Sequence, residues 1–186
     1  MTKFFNSKIL WLPGALILLL AATFPANSRT WSHNPNNLAQ DYVTINDNRG
    51  NGDVVLLFWI APALIPEGPS TQAVRQMLDK YIVIGVVHAH ASKDGTITFD
   101  RVTTLEASNK NGNALSTLDT NTMPPSVVGA LASIQSLFGR SMGNFGQGIQ
   151  WFALDGGETH TCTKGGFSVK FAGENYTYDT PIPGCP

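Results

Sequence analysis

Two stretches of the chain are apolar at nearly every position, Val54 to Ile60 (Val-Val-Leu-Leu-Phe-Trp-Ile) and Ile82 to Val87 (Ile-Val-Ile-Gly-Val-Val). Uninterrupted apolar runs of this length mark strands covered on both faces rather than on one. Between them, Pro62, Pro66 and Pro69 break the chain. Ser70 is then placed to cap a helix whose apolar residues Val74, Met77, Leu78 and Tyr81 follow i, i+3, i+4, i+7 spacing. Such a strand, helix and strand is compatible with a local parallel crossover. Upstream, Tyr42 to Ile45 alternates weakly, and Asn46 to Asp53 is a dense turn signal, which predicts a hairpin into the Val54 run.

Downstream the second run continues into His88-Ala89-His90-Ala91, turns at Lys93-Asp94-Gly95 and returns as Thr96 to Phe99. Thr103 to Ala107 and Ala114 to Leu118 flank a turn whose sharpest signal is Asn111-Gly112. Pro124-Pro125-Ser126 opens the longest helical pattern, with Val127, Ala130, Leu131, Ile134, Leu137 and Phe138 on one face, Ser126 as cap and Gly139 as stop. The glycines from Gly139 to Gly148 read as a flexible connection. Ile149 to Leu154, Phe167 to Ala172 and Tyr176 to Tyr178 are the remaining strands.

The pattern therefore predicts eight or nine short strands and two helices, with no internal repeat. Many strands recur at 8 to 12 residue spacing, which favours a mainly β fold: a sandwich of short antiparallel strands, immunoglobulin-like in one form, with the two helices packed on it. The alternative is an α+β mixed sheet.

The N-terminus reads as an address rather than as structure. Lys3 and Lys8 precede an uncharged 16-residue run, Ile9 to Phe24, and Ala26-Asn27-Ser28 supplies small residues for cleavage. A basic stretch, a short apolar stretch and a small-residue site form the secretory pattern. The run also contains Pro13 and Gly14 and falls short of the roughly 20 residues of a spanning helix. Residues 1–28 are thus expected to be a signal peptide and 29–186 a single β-rich domain. The mature chain would be secreted or periplasmic, with no membrane span.

Charge adds an exclusion. Only 13% of residues are charged, about half the usual share, and Asn, Ser and Thr outnumber charged residues 43 to 25. With a net charge of −1, no basic field exists to hold a nucleic-acid backbone. Export also changes the reading of the two cysteines. In an oxidising compartment Cys162 and Cys185 are expected to form a disulfide. Its 24-residue loop would stabilise the fold by about 3.5 kcal/mol in the chain-entropy model.

Of the candidate chemistry, His88-Ala89-His90 is the most suggestive. On a strand, residues i and i+2 share a face about 7 Å apart, a spacing at which two imidazoles can approach one metal ion. His160 is the candidate third ligand, for Zn or Cu. The competing reading is a pair of solvated strand-end histidines, since no acidic residue lies within the motif. Gly139-Arg140-Ser141-Met142-Gly143 matches the G-x-S-x-G string, but the strand, turn and helix context of a nucleophile elbow is missing. Asp94 and Asp100 read as turn and strand-end residues. Asn175-Tyr176-Thr177 fits a glycosylation acceptor. Trp31, Trp59, Trp151, Tyr176 and Tyr178 are candidate stacking aromatics, with Trp59 and Trp151 assigned to the core and the two tyrosines to the surface. With no complete catalytic set, the leading expectation is an exported, non-enzymatic β-sandwich protein in a binding or envelope-accessory role, without a cofactor, whose partner is an unidentified protein or small ligand. The alternative is a metal-binding exported protein using His88, His90 and His160.

Overall fold

A computed structural model of the chain describes residues 43–46, as backbone, and 52–182. The expected signal peptide, Trp31 and Cys185 lie outside them. Helices and strands are mixed, and the strands form two antiparallel sheets. Nine strands occur among the described residues: β1 (Val43–Asn46), β2 (Asp53–Ile60), β3 (Tyr81–Ala91), β4 (Ile97–Phe99), β5 (Glu106–Asn109), β6 (Ser116–Thr117), β7 (Gln150–Asp155), β8 (Phe167–Phe171) and β9 (Glu174–Tyr178). The α-helices among the described residues are α1 (Gln72–Lys80), α2 (Pro125–Ser141) and the single turn α3 (Asn144–Gln147). No described helix is long and apolar enough to cross a membrane.

The larger sheet runs in the order β1-β2-β3-β7-β6, and β4 also pairs with β3. Its centre is β3, the longest strand. Along one edge β3 pairs with β2 from Val83↔Ile60 to His90↔Asp53. Along the other it is shared, pairing with β7 from Tyr81↔Asp155 to Val86↔Gln150 and then with β4 from Ala89↔Phe99 to Ala91↔Ile97. The expected hairpins β1–β2 and β3–β4 are both present.

The parallel crossover is not. β2 and β3 are antiparallel neighbours, so the connection through α1 leaves and re-enters the sheet at the same end.

Alternation along β2 and β3 builds two cores. Leu56, Phe58 and Ile60 with Val83, Val87 and Ala89 meet Val74, Met77 and Leu78 of α1 and Val127, Ala130 and Ile134 of α2. The opposite face, Val55, Leu57 and Trp59 with Ile82, Ile84 and Val86, shares its core with Phe167, Val169, Tyr176 and Tyr178 of the smaller sheet, β5-β8-β9. Trp59 is its largest side chain, with the rings of Phe167 and Tyr178 at 5.0 and 5.5 Å, both edge-on. Tyr176 and Tyr178 are each 2% exposed, which corrects their assignment to the surface: they lie on the inner face of the small sheet. Burial pushes the Tyr178 phenol up from its ordinary pKa.

The helix ends also differ from expectation. The N-caps are Thr71 and Pro124 rather than Ser70 and Ser126. Thr71 directs its hydroxyl to the carbonyl oxygens of Pro66 and Gly68, bracing the Pro-rich link. Nor does α2 stop at Gly139. It continues to Ser141, and α3 follows directly, so the Gly-rich stretch is largely helical. A Cβ on Gly146 would stand 2.0 Å from the Gly139 carbonyl oxygen, so glycine here permits close backbone packing rather than a flexible link. Thr103 to Ala107 is also shorter as a strand than expected, and the two arms of the Asn111-Gly112 turn part company, with β5 joining the small sheet and β6 the large one.

Candidate metal centre

His88 and His90 continue the face that Ile82, Ile84 and Val86 begin, because side chains two apart on a strand point the same way. They lie beyond the smaller sheet's full cover, with side chains 21% and 44% exposed. Phe171, the last residue of β8, closes on His88 edge-on at 5.8 Å. The two imidazole centroids are 5.1 Å apart.

Two carboxylates complete the cluster. Register places Asp53, the first residue of β2, directly opposite His90, and its Oδ1 meets His90 Nδ1. Asp100 follows β4 and donates its backbone N–H to the His88 carbonyl at 2.9 Å. Its Oδ2 lies 3.1 Å from His88 Nδ1 and 2.8 Å from His90 Nε2. Asp53, His88 and His90 each offer one ligand atom, all within 4.8 Å of one another. The hydrogen bond that His90 donates to Asp100 raises the pKa of the imidazole above the ordinary histidine value; loss of water around the ring opposes this, and the charges of Asp100 and Asp53 add to it.

His160 is not part of this group. It lies in the turn after β7, where its backbone N–H donates to Thr163 Oγ1. That turn leaves β7 at Asp155, opposite Tyr81, and about 23 Å of strand separates Tyr81 from His88. The structure thus joins two of the three expected histidines and supplies Asp53 where sequence spacing suggested His160. Asp100, read as a strand-end residue, touches both imidazoles.

The other candidates have local roles. Asp94 accepts from the Ser92 hydroxyl and the Thr96 N–H in the β3–β4 turn, and these bonds lower its pKa. Ser141 ends α2 with its hydroxyl on the Phe138 carbonyl. Trp151 is half-buried and donates Nε1–H to Gln135 Oε1 of α2 at 2.5 Å.

Fold and site together define a mixed α and β protein with two antiparallel sheets and a His-Asp cluster at the rim between them. No family model, curated protein or solved structure matches the chain.

Proposed function

We propose that the chain is an exported protein that holds a divalent transition metal, Zn²⁺ or Cu²⁺, through Asp53, His88 and His90. The observation that carries this reading is the convergence of three ligand atoms from two paired strands to within 4.8 Å of one another. Ligand atoms around a tetrahedral zinc stand about 3.4 Å apart, given zinc to ligand distances of about 2.0–2.2 Å, so small side-chain rotations close the group on an ion. Two imidazoles and a carboxylate form a donor set suited to zinc, and imidazole suits copper equally. The pair of carboxylates, Asp53 and Asp100, balances a doubly charged cation.

Support for export is the leader pattern that begins at Lys3. A disulfide between Cys162 and Cys185 would follow from the same compartment. The shared core of the two sheets supports a small sandwich with helices on its outer face, an architecture that presents the metal at an open rim. The role needs no catalysis and fits the binding or envelope-accessory reading.

Metal analysis of the protein purified without chelator, followed by thermal melting with Zn²⁺ or Cu²⁺, tests the proposal. Bound metal or a concentration-dependent rise in Tm is expected, and both should be lost in the His88→Ala/His90→Ala variant. Absence of metal together with unchanged melting in both ions would remove the reading.

A further inference from the structure

The geometry points to Asp100 as a positioning carboxylate that selects which nitrogens face the ion, with Gln150 fixing the backbone that carries it; this rests on the metal reading. Asp100 Oδ2 is within hydrogen-bond distance of both rings, at His88 Nδ1 and His90 Nε2. One acceptor oxygen can take an N–H from each. The nitrogens left with lone pairs are then His88 Nε2 and His90 Nδ1. His90 Nδ1 is the atom beside Asp53 Oδ1. His88 Nε2 is buried and makes no hydrogen bond among the described residues, which suits a nitrogen whose partner is an ion. Metal-bound histidines commonly give their second N–H to a carboxylate, which fixes the tautomer and raises the basicity of the ligating nitrogen. Here one carboxylate does so for two rings.

Gln150 explains why that carboxylate is in place. Pairing of β3 with β7 ends at Val86↔Gln150, and pairing with β4 begins only at Ala89↔Phe99. At this joint β3 has a gap between partners. The Gln150 side chain spans it, donating Nε2–H to the Asp100 carbonyl at 2.8 Å and accepting the Val102 N–H on Oε1 at 2.6 Å. Together with the bond from Asp100 N–H to the His88 carbonyl, these contacts hold the backbone of Asp100 on both sides. The carboxylate is thereby carried above the imidazoles by a residue 50 positions away in sequence.

Side-chain ¹⁵N–¹H NMR of the full mature protein, with and without Zn²⁺, tests the assignment. Zinc should shift His88 Nε2 and His90 Nδ1 to metal-bound values, while protons stay on His88 Nδ1 and His90 Nε2. Asp100→Asn and Gln150→Ala should each weaken zinc binding, by about 10- to 100-fold for the carboxylate and by less for the glutamine. Asp100→Glu should restore part of the affinity. Zinc on His88 Nδ1 and His90 Nε2 would make Asp100 a ligand and overturn the inference while leaving the metal reading intact. So would an Asp100→Asn variant that binds as tightly as the parent protein. No zinc-induced shift at any histidine would instead overturn the metal reading, and this inference with it.

Discussion

One face of one strand carries Ile82, Ile84, Val86, His88 and His90 in strict alternation, yet its two halves behave as different materials. The first three are at most 5% exposed, roofed by Phe167, Val169, Tyr176 and Tyr178 of the small sheet and flanked by Trp59. The last two are partly open and bound to carboxylates. On one edge β2 pairs with both halves, from Val83 to His90, while on the other the partner passes from β7 to β4 between them. The cover changes at the same place. The small sheet ends at Phe171, and beyond it the side chains of β3 are partly open and reach the carboxylates of Asp53 and Asp100.

The comparison is broken most severely from the covered half. Trp59→Ala should cost about 3–5 kcal/mol, the usual range for emptying a buried aromatic site, because the Phe167 and Tyr178 rings lose the partner they both face. Chemical denaturation of the metal-free protein measures it. A loss below about 1 kcal/mol, small even for an ordinary point mutation, would show that the two sheets are not held together by this cluster.

At the rim the contrast should invert. His88→Ala/His90→Ala ought to leave the metal-free fold largely intact but remove the stabilisation by metal, which is about 2.7 kcal/mol when free ion is at 100 times its Kd. Melting curves with and without zinc separate the two effects. A double variant still stabilised by zinc would place the ion elsewhere.

Much of this contrast can be read in the sequence, and the remainder has identifiable causes. The doubly apolar runs at Val54 and Ile82 announced the central strands because burial on both faces leaves no polar alternation. His88 and His90 were visible for the same reason, as the first polar side chains on an apolar strand. Asp100 was within reach: counting back across the Lys93-Asp94-Gly95 turn pairs Ile97 with Ala91 and so brings Asp100 opposite His88. Asp53 was not, since its place beside His90 depends on β2 pairing with β3 across a helical connection. His160 and Cys162 share the i, i+2 spacing of the histidine pair, but that spacing has directional meaning only on a strand, and they lie in a turn. The β8–β9 hairpin was hidden for another reason. Its two-residue turn is Ala172-Gly173 with φ of 50° and 83°, and an alanine there lacks the usual Asn-Gly signature.

The boundary itself can be sharpened at Phe171. Phe171→Ala removes the ring that stands edge-on to His88, worth about 0.5–1.5 kcal/mol for an aromatic pair. The expected result is a modest loss of stability with faster hydrogen exchange at His88, while the protection of Ile84 stays unchanged. If exchange rose equally at Ile84, the cover would be a single cooperative unit and the rim would have no separate identity.

The smallest effect concerns protons. Hydrogen bonding to Asp100 raises the pKa of His90 above its ordinary 6.5, with Asp53 adding to it. Without metal, the charged ring stabilises the folded state fully below its unfolded pKa, and that contribution fades as pH rises through the higher folded value. The stability gap between the parent protein and His90→Gln should therefore be widest below pH 6.5 and narrow as the pH rises above it and through the raised folded value. Zinc should reverse the sign, because only the neutral imidazole binds metal and protons compete with it. In its presence the same gap should widen over the same interval, as the parent protein gains a ligand that the variant lacks. The covered half of β3 supplies the control: its side chains carry no titrating group, so the cost of Ile84→Ala should stay constant with pH in both conditions. Parallel slopes for His90→Gln with and without zinc would mean that proton and metal do not share this imidazole.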